Sequence, residues 1–187
     1  SAASDVYKRQ DTDDFDKAQV ASFEALAYAY LKRFDEALEV IEFGIEADAH
    51  FSNLYIAKGE VYLLQNMIIE AQNEFNYAEH MAFDKQDILF TLVLACMRCG
   101  FDSMALKYFE KLEKDYPDTS QDIYYLIAHC YYKEGNKEEM IKYIKKGLEE
   151  SEFTLEKIKA MPKFSGDEQF IILLEEIIKN LESNPSL

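Results

Sequence analysis

The sequence is short of the residues that interrupt helices, with six glycines and three prolines in 187 residues, below the usual share of a soluble domain. That scarcity argues against many short strands joined by turns, and for an all-α chain with few breaks. Tryptophan is absent, and cysteine occurs three times. An odd number does not make a disulfide framework, so a reducing, cytoplasmic setting is the expectation. Basic residues are the scarcer charge, 20 Lys and Arg against 36 Asp and Glu, for a net charge of -16. Nucleic-acid backbones are held by clustered cations that displace counterions, so a nucleic-acid partner is excluded on charge. An anionic membrane surface would repel the chain as well. No run of about 18 uncharged apolar residues occurs, which excludes a helix long enough to span a bilayer.

Residues 1–10, SAASDVYKRQ, resemble the in-frame translation of a sequencing adapter, and are set aside from the fold reasoning as non-native. The remainder is then read as the later portion of a longer, bacterial-type chain. Its organisation is periodic. Ala37, Ala71 and Ala105 are 34 residues apart, and Ile41, Phe75 and Phe109 keep the same step, as do Gly44, Ala78 and Leu112. Tyr55 and Leu89 form a fourth track, and a later unit continues with Tyr124, Met140, Ile144 and Gly147 one residue late. Within each period, apolar residues fall three and four apart in two amphipathic stretches, predicting a helix pair. Gly100 and Gly135 suit the left-handed residue that closes a helix, with Asp102 and Asn136 as caps for the next. Pro117-Asp118-Thr119 marks a unit boundary.

These residues resemble the tetratricopeptide repeat (TPR) pattern. Its large residue, Gly and Tyr on the first helix correspond to Tyr55, Gly59 and Tyr62, and its Ala, aromatic and Ala on the second to Ala71, Phe75 and Ala78. Leu89, Val93, Cys96, Ala105, Phe109 and Pro117 match a further unit, as do Tyr124, Ala128, Tyr131 and Gly147. The first unit matches through Phe23, Leu26, Ala27 and Tyr30 if its inner turn is two residues short. The resemblance implies a right-handed α-solenoid of about four TPR helix pairs, over 18–51, 52–85, 86–119 and 120–152, within 11–150. Residues 151–187 are then a helical cap, with a helix from about Asp167 to Leu181 whose apolar stripe is Phe170, Ile171, Leu174, Ile177, Ile178 and Leu181. A short helix is expected over 153–160, ended by Pro162.

Catalytic chemistry has little to stand on. No phosphate loop, nucleophile elbow or zinc helix is present. Cys96, Cys99, His129 and Cys130 are the one group of metal-ligand types, but His129 and Cys130 are adjacent on a helix and point about 100° apart, and Cys96 takes a core position of the repeat. They read as buried thiols, and no metal or cofactor is expected. Acid pairs such as Glu138-Glu139 and Glu149-Glu150 read as solvated helix surface.

The resemblance therefore implies a non-catalytic protein-protein interaction scaffold that takes peptide or helical segments in the concave groove lined by first helices. The lining positions it implies are Tyr28; Asn53, Ile56 and Glu60; Asp87, Phe90, Leu94 and Arg98; and Asp122, Tyr125, His129, Tyr132 and Lys133. A chaperone carboxylate clamp is excluded, because its Lys, Asn and Arg positions hold Glu24, Tyr28, Ala57, Asp87 and Thr91 in one register and Ile56, Glu60, Thr91, Asp122 and Leu126 in the other. An apolar or basic protein segment is the expected partner. Two other expectations stand beside it: a regulatory or docking region of a longer protein whose preceding part carries an activity, and self-association through the terminal helix.

Overall fold

The computed structural model describes residues 2–120, 123–150, 159 and 167–183, with side chains placed from 13 onward except at 119, 120, 150 and 182. Every regular element among them is a helix. One unit, Ser1–Cys99, contains α1 (Ala2–Tyr30), α2 (Phe34–Ala47), α3 (Ser52–Leu64), α4 (Ile68–Met81) and α5 (Lys85–Arg98). A second, Gly100–Leu187, contains α6 (Asp102–Asp115), α7 (Pro117–Ser120), α8 (Tyr124–Lys133), α9 (Lys137–Glu150) and α10 (Glu168–Ser183). The expected helix at 153–160 and its end at Pro162 fall outside the described residues, Lys159 apart. Pro117 opens the single turn of α7 rather than a plain loop, since its fixed φ and missing N–H suit a first helical position.

The periodic tracks are the core. Ala37, Ala71 and Ala105 are fully buried, as are Ile41, Phe75, Phe109 and Ile144, with Met140 at 1% exposure. In the first unit α1 packs on α2 and α3 on α4, and α3 lies between α1 and α5, so α1, α3 and α5 form a row of first helices. In the second unit α8 packs on α9, and α6 lies beside α8.

What repeats most faithfully is a turn. Lys32, Asn66, Gly100 and Gly135 all have φ between 61° and 80°, and they are 34, 34 and 35 residues apart. At three of these turns the next residue's N–H bonds to a carbonyl five residues back: Arg33 to Tyr28, Met67 to Tyr62 and Asn136 to Tyr131. This is the hydrogen bond of a Schellman ending, which satisfies helix carbonyls that would otherwise be orphaned. The second helices then start alike, with the N–H of Ala37, Ala71, Ala105 and Met140 bonding to the carbonyl of Arg33, Met67, Phe101 and Asn136. Asn136 also caps α9 through its side chain, accepting the Glu139 N–H. Asp102 is instead the first residue of α6, and Phe101 stands at the cap with no side-chain bond.

This turn corrects the register of the first repeat. Counting back from Lys32 as from Asn66 places Ala21, Ala25 and Tyr28 opposite Tyr55, Gly59 and Tyr62, with no shortened turn. Ala21 and Ala25 are 3% and 0% exposed, whereas Phe23 and Tyr30, expected at core positions, are 65% and 47% exposed. A small residue, Ala21, at the track that elsewhere carries Tyr55, Leu89 and Tyr124 shifts the best letter match by two positions. Lys32 also carries a cost here, because an L-residue with a side chain in this region is disfavoured by about 1–2 kcal/mol. Lys32→Gly should therefore raise the unfolding free energy by roughly 0.5–1 kcal/mol after the greater freedom of unfolded glycine is subtracted. Urea denaturation followed by circular dichroism measures it, and an unchanged or lowered midpoint would contradict the turn assignment.

Candidate functional site

In the first unit the corrected register brings a polar cluster onto the first-helix row. Glu60 of α3 has its side chain 1% exposed and is held by Arg98, which closes α5, with Nη2 to Oε1 at 2.5 Å and Nε to Oε2 at 3.3 Å. The Tyr30 hydroxyl at the end of α1 donates to the same carboxylate at 3.3 Å, and the Cys99 thiol lies 3.9 Å from it. Burial pushes the Glu60 carboxyl above its ordinary range, against the opposing pull of Arg98, Tyr30 and Cys99. The neighbouring thiols are driven up chiefly by burial, Cys99 to about 12, so they stay protonated and poorly nucleophilic.

Beside this cluster is a cavity of about 180 Å³ between α1, α3 and α5, walled by Leu26, Ile56, Ala57 and Thr91, with Glu60 and Arg98 at one end. It shares Gln19, Phe51 and Asn53 with an adjoining cleft of about 430 Å³, which runs past Phe15 to Phe83 and Asp84 of the α4–α5 loop and Asp87 in the first turn of α5. The two form one groove on the first-helix row. Phe15 and Phe51 meet edge to face with centroids 5.1 Å apart, and Phe83 is fully exposed at the far end. Asp84 caps α5, accepting the N–H groups of Gln86 and Asp87. Asn53, in the first turn of α3, has a buried Oδ1 with no hydrogen-bond partner. An unmatched acceptor of this kind is uncommon and costs about 1–3 kcal/mol.

In the second unit the equivalent face is occupied by the chain itself. The ring of Phe170, fully buried on α10, lies 4.8 Å from His129 and 5.2 Å from Tyr132. Asp167 caps α10 by accepting the Phe170 N–H, while its other oxygen meets Lys133 Nζ at 2.5 Å and His129 Nε2 at 3.2 Å. Phe170, Leu174, Ile177 and Ile178 of the expected stripe are buried, and Ile171 and Leu181 are partly so. Burial alone would raise the Asp167 pKa, but the bonds from Lys133, the Phe170 N–H and His129 outweigh it and bring the carboxyl down to about 2. A depressed carboxyl pKa contributes stability above the unfolded value that is lost as the pH falls through the folded one. Docking of α10 should therefore weaken between about pH 4 and 2, and Asp167→Asn, which keeps a good cap, should remove that part of the acid dependence. Hydrogen exchange at the α10 amides reads it; identical acid profiles for the two proteins would contradict the ion-pair account.

The expected groove residues thus divide. Asn53, Ile56, Glu60 and Arg98 line the inner cavity, and Asp87 lines the adjoining cleft. Phe90 and Leu94 are half-buried on α5 and line neither. Tyr28 does not belong to the groove; its ring packs on the Ala25, Ala37 and Ile41 core with the Arg33 guanidinium 4.5 Å above it. Tyr125 and His129 are 2% exposed, Tyr125 against Gly147 of α9 and His129 under α10, so neither faces an open groove. Tyr132 is half-buried beneath Phe170, Lys133 is bound to Asp167, and Asp122 lies outside the described residues. Gln19, Ser22, Phe23, Leu26 and Tyr30 join the site only once the first repeat is counted from Lys32.

Comparison with known proteins agrees with this architecture. Residues 121–154 match the tetratricopeptide repeat family profile. Among solved structures, a MamA RS-1 double mutant aligns with a TM-score of 0.51 at 13% identity, covering 91% of this chain and 97% of that one. YrrB, described as a TPR protein with an unusual peptide-binding site, aligns at 0.46 and 16% identity over 87% and 84%. PilF of Pseudomonas aeruginosa aligns at 0.38 and 12% over 93% and 95%. No curated protein sequence matches the chain. Residues 121–154 are a tetratricopeptide repeat, and the chain has the all-α, paired-helix fold of TPR proteins.

Proposed function

We infer that this chain is a non-catalytic protein-binding scaffold whose working surface is the first-helix groove of the first unit, formed by α1, α3 and α5. The observation that carries this is a contrast between equivalent positions. In the second unit the face around His129 and Lys133 is filled by Phe170 and Asp167 of the chain's own α10. In the first unit the corresponding Glu60 and Arg98 border an open cavity, and exposed aromatic side chains line the cleft that adjoins it. Concave surfaces that combine aromatic anchors with a few placed polar groups suit peptide recognition. YrrB is described as peptide-binding, and a protein or peptide partner fits the TPR fold.

Panning a random-peptide display library on the immobilised chain tests the reading. Enriched peptides should lose at least about tenfold in affinity against Leu26→Glu, whose charge would be desolvated in the inner cavity, and should keep it against Phe43→Ala on the outer side of α2. Enriched peptides indifferent to Leu26→Glu would overturn the assignment.

A further inference from the structure

The outward side of α1 is apolar. Val20, Phe23, Ala27 and Leu31 fall three and four apart, opposite the buried Ala18, Ala21, Ala25 and Ala29 of the same helix. Val20, Phe23 and Leu31 are 62%, 65% and 68% exposed, and Ala27 is exposed as well. The outermost repeat of a solenoid needs a polar outer face to stay soluble, and α1 presents the opposite. In the corrected register the same track is buried in every later repeat. Leu54, Ile88 and Ile123 stand where Val20 stands, and Val61, Ala95 and Cys130 where Ala27 stands; none of the six is more than 6% exposed.

In the next repeat the helix pair before it covers this track. Leu54 of α3 packs on Ala18 and Ala21 of α1, and it lies in the notch at Gly44 of α2, where an added Cβ would be 2.6 Å from Leu54 Cδ2. Ala57 and Val61 share a core with Ala25, Ala29, Ala37 and Ile41. The receiving surface therefore includes small residues on a preceding second helix. A second copy of the chain has no free stripe of that kind among its described residues, since Ala37, Gly44, Ala71, Ala78 and Ala105 are all buried.

The register also gives the place of such a pair. Phe15-Asp16-Lys17 repeats Phe83-Asp84-Lys85 two periods earlier, and Asp84 is the cap that starts α5. Asp16 thus stands where a first helix begins, and one period before α2 falls on the residues up to 13. Ten of those are the adapter-like segment, which here prolongs α1 back to Ala2 instead of forming a separate second helix.

We propose that the stripe of Val20, Phe23, Ala27 and Leu31 is an internal seam of a longer repeat array, and that a further helix pair of the same kind, joined ahead of α1, packs on it through small residues of its second helix. The row of α1, α3 and α5 then gains a first helix on its open side, and Phe23, which also lines the inner cavity, stands at the junction. The proposal stands on burial and register and is independent of what the groove binds.

Two extended chains test this. In one, residues 1–14 are replaced by a copy of 52–82, and in the other by a copy of 18–48; each runs in register into Phe15. Amide hydrogen exchange over residues 21–30 is compared with that of the unextended chain at equal concentration. It should slow at least about tenfold in the extended chains, because α1 is then packed on both sides. Val20→Gln with Ala27→Gln keeps the net charge and uses a good helix former; it should abolish the slowing and leave exchange in the unextended chain within about twofold. A folded extended chain whose α1 exchanges as in the unextended one, or stays slow despite the two substitutions, overturns the proposal. Failure of both extensions to fold by circular dichroism overturns it as well. Slowing in the unextended chain on a roughly tenfold rise in concentration, reversed by the same two substitutions, would assign the face to a second copy and overturn it too.

Discussion

Phe75→Ala should lower the unfolding free energy by about 3–5 kcal/mol, the range for removing a fully buried aromatic ring. Phe75 is 0% exposed on α4, and its ring occupies the notch that Gly59 leaves on α3: a Cβ built at Gly59 would lie 2.2 Å from Phe75 Cε1. The two residues are one packing unit, so the reciprocal change is also severe. Gly59→Leu forces either the ring out of its rotamer or α3 away from α4, a strain of about 3 kcal/mol or more. The double variant should be more stable than the sum of its parts predicts, because the new leucine fills the void left by the ring. Urea melts of the four proteins measure the coupling. Additive losses would show that the pair does not share one space.

Arg98→Met is the second large effect, and its signature is a change with pH. Losing one partner of a buried ion pair costs about 3–5 kcal/mol, and because the Arg98 side chain is 42% exposed the loss here should be nearer 2–3 kcal/mol at neutral pH. The Glu60 carboxyl, already raised by burial, rises further without its cation. A carboxyl whose folded pKa exceeds its unfolded value binds more protons when folded, so its contribution is present at low pH and lost as the pH rises through the folded pKa. The deficit of Arg98→Met relative to wild type should therefore shrink as the pH falls from 7 towards 4.5. Adding Glu60→Gln to the variant should flatten the dependence and recover part of the loss, since an amide is far less costly to bury than an unpaired carboxylate. Chemical denaturation at several pH values checks both points, and a pH-independent deficit would contradict the buried-carboxylate account.

Much of the fold was legible in the letters because burial repeats every 34 residues. The Ala37, Ala71, Ala105 and Ile41, Phe75, Phe109 tracks are all fully buried, and the stripe of the terminal helix is largely buried as expected. The first repeat was not aligned correctly, because Ala21 and Ala25 do in that unit what Tyr55 and Gly59 do in the next. Large neighbours at Phe23 and Tyr30 imitated the pattern from exposed positions. The signal that separates the two alignments is conformational, a left-handed residue at Lys32, Asn66, Gly100 and Gly135. Only two of those four are glycine, so composition conceals it. The groove was half legible for the same reason. Asn53, Ile56, Glu60 and Arg98 come from correctly aligned helices and line the cavity, whereas Tyr28 came from the misaligned one and packs, partly buried, against the core. His129 and Tyr132 lie on the face of α8 that α10 covers, while Tyr125 packs against Gly147 of α9; periodicity carries no information about whether a terminal helix will return to cover a face.

The most direct test of the account is an amide chemical-shift map of the isotopically labelled chain titrated with a peptide selected from the display library. The account predicts perturbations concentrated in residues 19–30, 53–60 and 84–98, with the α10 contact to His129 and Tyr132 unchanged. Perturbations confined to the second unit, or to the outer sides of α2 and α4, would contradict it.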